Sequence, residues 1–244
     1  MLPGLVVADP IIDRNEFCWP GGSRLAVAVI LALDADNAVA ERYGMSVGAW
    51  RLLEMFRTFE MPVAVAAGPG ILARHPRLTA MFTARADEFV AMGAVPDQRY
   101  RDLGISMPRG LLVRGELDLA SVLDAGCCYL LAACGDDQPV WLSNDGHRIG
   151  CVPIAPELDD LQQLQVHRHT PRQFAAMLSD HFDEQLRQSA HRPLVMCPVL
   201  RPHLSGQPRC LDAIRRWLAH AAEYPGVAWF CHPRDIACTW QERG

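Results

Sequence analysis

Residues 25–33 read Leu-Ala-Val-Ala-Val-Ile-Leu-Ala-Leu, an unbroken apolar run that follows Pro20-Gly21-Gly22. A run of this length and composition predicts a strand buried on both faces. Such a strand needs cover above and below, so the rest of the chain must supply helices. The segments that follow do so in alternation. Residues 47–59 carry apolar side chains at 49, 50, 52, 53, 56 and 59, a helical stripe with Ser46 as its expected N-cap. Pro62 opens a second apolar run, 63–67, which Gly68-Pro69-Gly70 closes.

The alternation continues with helix expected over 76–86, a short strand over 88–92, and helix over 116–125. Further strands are expected at 127–133, 152–154 and 194–200. Thr170-Pro171 caps an amphipathic helix to about residue 188, with proline in the first helical position. Helix is expected over 207–222, then a last strand at 227–231 and a short helix after Pro233. Residues 93–115, rich in Arg, Gly and Pro, read as a long loop. Strands alternating with helices of these lengths predict an α/β fold with a parallel sheet. Periodicity does not separate an open sheet from a closed barrel. With no repeat or low-complexity linker, residues 1–244 read as a single domain.

Composition narrows the function. Half the residues are apolar, 21% are charged and the net charge is −5, which excludes an electrostatic footprint for nucleic acid or an anionic membrane. The longest apolar run is far too short to span a bilayer. The first ten residues lack the basic region of a signal peptide. The cysteines are odd in number, form no Cys-x-x-Cys and fall mostly in apolar runs, so they read as reduced thiols of a cytoplasmic protein. No Gly-x-Gly-x-x-Gly follows the first strand and no nucleotide-binding loop occurs, so no dinucleotide cofactor is expected. Gly-x-Ser-x-Gly and His-Glu-x-x-His are also absent.

Active sites of α/β folds lie at the carboxyl ends of the strands. There the first strand delivers Asp34 and Asp36, two carboxylates on one side, suited to a base and a ligand. A solvated turn or helix cap is the competing reading. Arg201-Pro202-His203-Leu204-Ser205 follows another buried strand and places a cation, an imidazole and a hydroxyl at a carboxyl end. Asp136-Asp137 and Glu157-Leu158-Asp159-Asp160 read as acidic turns, and His167-Arg168-His169 as a surface loop that could alternatively share a metal.

In order and at their spacings, several segments resemble the polysaccharide deacetylase superfamily. Within it, the closest resemblance is to the branch of allantoinase-like and intracellular peptidoglycan-deacetylase-like proteins. They are Trp19-Pro20-Gly21-Gly22, Tyr43-Gly44 with Val47-Gly48 and Trp50-Arg51, Arg74-His75-Pro76, Asp136-Asp137 with Trp141, Leu158-Asp159-Asp160, Pro202 to Pro208, and Pro225-Gly226 to Phe230. The resemblance implies a distorted barrel of about seven strands with surrounding helices. It implies a catalytic carboxylate and a metal-binding aspartate at Asp34 and Asp36. The family's two metal-binding imidazoles would fall at Met92 and Pro96, its base-orienting arginine at Ser106 with Arg109 nearby, and its general-acid histidine at Arg201.

Proline offers no donor atom and methionine prefers soft metals, so no metal is expected at Asp36, and no other cofactor. Three readings follow. In the first, the protein is a metal-independent hydrolase of a non-peptide carbon–nitrogen bond, with Asp34 as base and Arg201 or Arg109 stabilising the oxyanion. Asp36, Arg109 and His203 would then contact the substrate. In the second, it is a degenerate family member that binds a small ligand or a partner. In the third, His167 and His169 rebuild a metal site. The expected ligand is a small molecule or a carbohydrate-like compound, and the aromatic residues near the chain ends suit a homo-oligomer interface.

Overall fold

The computed structural model describes residues 9–14, 16–35, 37–115, 117–144, 146–190 and 192–243. Its strands are β1 (Leu25–Val27), β2 (Val29–Ala32), β3 (Val63–Ala67), β4 (Glu88–Met92), β5 (Gly110–Leu112), β6 (Tyr129–Ala132), β7 (Val140–Asn144), β8 (His147–Pro153), β9 (Leu194–Met196), β10 (Val199–Leu200) and β11 (Ala228–Phe230). One sheet runs β10-β2-β3-β4-β5-β6-β8-β7, and a smaller one runs β11-β1-β9. Every pairing is parallel except the β7–β8 hairpin. The chain after β8 meets β10 through a parallel bridge between Asp159 and Val199, which brings the two flanks of the sheet together. The result is an α/β fold of the distorted-barrel type.

The strand expected over 25–33 is split in two at Ala28, and its neighbour over 194–200 is split at Cys197-Pro198. Proline has no N–H to give to a ladder. Around the break, Ala28 N donates to Met196 O and Ile30 N to Pro198 O, so the two segments remain side by side.

Period-two alternation then sorts the side chains. Leu25, Val27, Val29, Leu31 and Leu33 join the core beneath the helices. Ala26, Ala28, Ile30 and Ala32 face inward, with Ala64, Ala66, Val90, Leu112, Leu131, Val152 and Val199. The helix Pro233–Arg243 plugs this interior with Ile236 and Ala237. At the amino end Tyr129 Oη donates to Glu88 Oε1 at 2.7 Å, and Arg234 N donates to Glu88 Oε2 at 3.1 Å. Six of the cysteines are buried: 127, 134, 151, 197, 210 and 231.

Two expectations need correction. Residues 93–115 are not all loop, because they hold β5 and a short helix, Arg99–Asp102. Ser46 is not an N-cap. The helix starts eight residues earlier, at Ala38, where Asn37 Oδ1 accepts from Val39 N and Ala40 N, both at 3.0 Å. It runs through a π-helical stretch, Gly44–Gly48, into Ala49–Thr58. By contrast, Thr170 and Gln173 form the expected cap of Pro171–Gln188.

The π stretch positions the loop after β10. A Cβ on Gly48 would lie 2.0 Å from Pro202 O, and one on Gly206 would lie 2.4 Å from Gly48 Cα. Backbone packs on backbone here, and only glycine allows that distance. Gly48 itself has helical φ and ψ, so alanine would normally help the helix by roughly 0.5–1 kcal/mol. The contact reverses that sign. Gly48→Ala is expected to cost about 1–3 kcal/mol in urea unfolding, the range for forcing extra methylenes into a packed site. A neutral or stabilising result would show that the Pro202 turn yields freely.

Candidate functional site

Inward alternation continues past the strand ends, so Asp34 after β2, Met92 at the end of β4, Arg114 after β5 and Arg201 after β10 all fall on the interior side at the mouth. Asp34 Oδ1 lies 3.0 Å from Arg201 Nε, and its Oδ2 lies 3.0 Å from Arg114 Nη1. The bridge at Asp159 then delivers two more carboxylates. Asp159 grips the Arg201 fork through both oxygens, at 2.5 Å to Nη1 and 3.2 Å to Nη2. Asp160 Oδ1 accepts from Arg201 Nη1 at 2.8 Å. Asp160 Oδ2 accepts from Arg201 N and Ser205 Oγ, both at 2.6 Å. Arg201 therefore holds three carboxylates while being 1% exposed.

Burial and charge compete in this cluster. Burial pushes the Asp160 carboxyl up to about 6, against the pull of the Arg201 charge, the Ser205 hydroxyl and the Arg201 amide. Burial pushes Arg201 down, but the Asp159 hydrogen bond and the charges of Asp160 and Asp34 more than offset it and hold it well above its ordinary value. Three carboxylates face two guanidiniums, and Asp160 takes up a proton as pH falls through about 6. The sign of the pH effect follows. Between an unfolded value near 3.9 and the folded value of about 6, the native chain binds a proton that the unfolded chain has lost. Asp160 therefore reduces stability as pH rises through that window. Urea midpoints at pH 5 and 7 should show this contribution in wild type, and Asp160→Asn should remove it.

The sequence-predicted residues do not all converge. Asp34 and Arg201 touch, and Asp36 lies outside the described residues. Arg109 precedes β5, so chain direction puts it at the amino end of the strands, opposite the mouth. It donates to Cys128 Sγ there, from Nη2 at 2.6 Å and Nε at 3.1 Å. It is Arg114, at the other end of the same strand, that reaches Asp34. His203 is 4% exposed, in the turn Pro202–Ser205 against Gly44, and as placed has no surface to offer a substrate. Ser106 is exposed in the segment before β5. Asp159 and Asp160, read as a turn, are two of the cluster's three carboxylates. Arg114 went unnoticed inside the apparent loop, although it directly follows the apolar residues 110–113.

A divalent metal does not fit these residues. Met92 and buried Pro96 occupy the positions where the resemblance calls for imidazoles. Asp34 and Asp159 are already engaged by guanidiniums, whose charge opposes a cation. Among the described residues no three His, Cys, Asp or Glu side chains gather as a metal site. His167 and His169 stand with ring centroids 6.0 Å apart, and His169 Nδ1 is 3.0 Å from Gln163 Oε1. Among the described residues no helix is long and apolar enough to cross a membrane.

No protein-family model matches the chain. No curated protein matches it in sequence. Solved structures do match. A probable polysaccharide deacetylase from Pseudomonas aeruginosa PAO1 superposes with a TM-score of 0.82 at 20% identity, covering 92% of this chain and 93% of that one. The chain thus has the polysaccharide deacetylase fold. Puue allantoinase superposes equally well, with a TM-score of 0.81 at 21% identity and 92% of each chain covered. A mutant of a CE4-family pseudoenzyme with restored enzymatic activity is more distant. Its TM-score is 0.50 at 9% identity, covering 89% of this chain and 68% of that one.

Proposed function

We propose that this protein hydrolyses a non-peptide carbon–nitrogen bond, the ring amide of a cyclic ureide or imide, without a metal. The observation that carries the reading is the Asp34 carboxylate at the mouth, held on one oxygen by a buried arginine and on the other by a half-exposed one. Arg201 is buried among three carboxylates, so it acts as a positioning residue for Asp34. Arg114 is bound to Asp34 through one nitrogen only and is 34% exposed, which leaves the rest of its fork for a substrate carbonyl. On substrate binding Arg114 turns to that oxygen and releases Asp34 Oδ2. Asp34 takes a proton from water as the oxygen attacks the carbonyl carbon, and Arg114 stabilises the oxyanion. The carbon–nitrogen bond then breaks, and Asp34 returns the proton to the departing nitrogen. A ring nitrogen flanked by carbonyls leaves more readily than a simple amine and stays tethered, so one carboxylate can serve both transfers. Sugar deacetylation would need a stronger electrophile and a separate acid.

The allantoinase likeness supports this substrate class, and the deacetylase likeness supports carbon–nitrogen hydrolysis in general. A second reading, ligand binding without turnover, draws on the same ion pairs: while both Asp34 oxygens are held, neither is available to deprotonate water. The buried thiols support a cytoplasmic location, and we read the chain as one domain. A substrate panel tests the proposal. Cyclic ureides and imides should be hydrolysed, with rates unchanged by chelators, while N-acetylated sugar oligomers should not. Sugar deacetylation would overturn it, and saturable ureide binding without product would establish the second reading.

A further inference from the structure

Strands β4 and β5 pair only through Ala91 with Leu111 and Met92 with Leu112. The ladder ends where Gly93, with φ at +83°, turns the chain after β4, while the chain of β5 runs on to Arg114. A cavity of about 170 Å³ opens in the fork between them, bounded on its third side by the start of the helix Leu119–Asp124. Both strands are parallel to β2, so the fork lies at the same end of the sheet as Asp34. Arg114 lines the cavity, and the same guanidinium reaches Asp34 Oδ2 at 3.0 Å. One side chain thus borders both the carboxylate and the cavity.

Val95, Leu111, Val113, Leu117 and Val122 line the cavity together. Leu111 and Val122 are buried in the core, and the other three are half-buried against it. The polar side chains that share the walls with Arg114 are already engaged with each other. Asp118 caps its helix, accepting from Ala120 N at 3.3 Å and Ser121 N at 3.1 Å, and Ser121 Oγ donates to the same carboxylate at 2.5 Å. They leave little for a polar ligand group to answer, whereas the valines and leucines gain from being covered. Size then sets the occupant. An apolar cavity of about 150 Å³ holds benzene, so this one has room for a phenyl ring.

We infer, resting on the roles proposed above for Asp34 and Arg114, that the cavity receives a benzyl-sized apolar substituent on the ureide or imide ring. The ring carbonyl meets Arg114 at the rim, and the substituent passes the guanidinium into the fork. The site therefore selects rings that carry an aryl or branched alkyl group over bare rings and over rings with a short polar group.

Three probes test this: 5-benzylhydantoin, hydantoin and 5-(carbamoylmethyl)hydantoin. Affinity is read by isothermal titration of Asp34→Asn, which lacks the proposed base, and turnover is read on the wild type. 5-Benzylhydantoin should bind at least about tenfold tighter than either of the others, from the apolar area it removes from water. In wild type, kcat/KM should follow the same order. Ala94→Phe, at an exposed position on the cavity wall, should bring the affinity ratio of benzyl to bare ring to about one by filling the fork, and Leu117→Asn should reduce it. Benzyl-selective binding that responds to these variants, with no product from wild type, would keep the inference and remove the hydrolytic reading. Hydantoin hydrolysis that is lost in Asp34→Asn, with no gain from the benzyl group, would do the reverse. No saturable binding of 5-benzylhydantoin, or a benzyl preference unmoved by Ala94→Phe, would also overturn the inference.

Discussion

Arg201→Met is expected to destabilise the protein by about 3–5 kcal/mol at pH 7, the usual cost of stripping one partner from a buried ion pair. Arg201 neutralises Asp34, Asp159 and Asp160 at once, and Asp160 is fully buried. Without the guanidinium, Asp160 keeps only Ser205 and the residue 201 amide, and two neighbouring carboxylates repel it. Methionine fills most of the volume but answers none of the charge. Urea unfolding should show the loss, and it should shrink as pH falls and Asp160 takes up a proton. Pairing the change with Asp160→Leu should recover part of the stability, because a hydrophobic replacement of both partners leaves no buried charge. A loss below about 1 kcal/mol at pH 7 would mean that water reaches the cluster.

Asp34→Asn is expected to lower kcat for a cyclic ureide by about 10²–10⁴-fold, the range for removing a positioned base. The amide keeps the shape and a hydrogen-bonding oxygen, so KM should change little. Arg201 retains Asp159 and Asp160, so the urea midpoint should also move little. The separation matters: a fall in kcat with unchanged stability assigns Asp34 to chemistry, whereas a joint fall assigns it to the ion-pair cluster alone. Ureide hydrolysis that survives the substitution would remove Asp34 from its proposed role.

Much of the fold was legible because its signals are local. The apolar run over 25–33 needs no partner to be recognised as a doubly buried strand, and Thr170-Pro171 announces its helix within one turn. The failures were of the opposite kind. Strand β5 is three residues long, Gly110–Leu112, and is a strand because β4 and β6 flank it, not because of its composition. The β7–β8 hairpin had a cue in Asn144-Asp145-Gly146, which went unused. Ser46 looked like a cap because serine favours caps, yet the chain is already helical there, and the close approach to Pro202 explains the glycine at 48.

The candidate site divides along the same line. Alternation along each strand decided that Asp34 and Arg201 face inward at the mouth, and residue types decided that Met92 and Pro96 cannot act as imidazoles. Both are properties of one strand or one side chain, so the sequence alone determined them. Which guanidinium holds Asp34 was decided only in three dimensions. Arg109 and Arg114 lie five residues apart, but β5 runs between them and puts them at opposite ends of the fold. Asp159 and Asp160 reach Arg201 from about forty residues away, through the bridge to Val199. Ion pairs depend on distance in space, and no local pattern encodes contacts that only the bridge between Asp159 and Val199 creates.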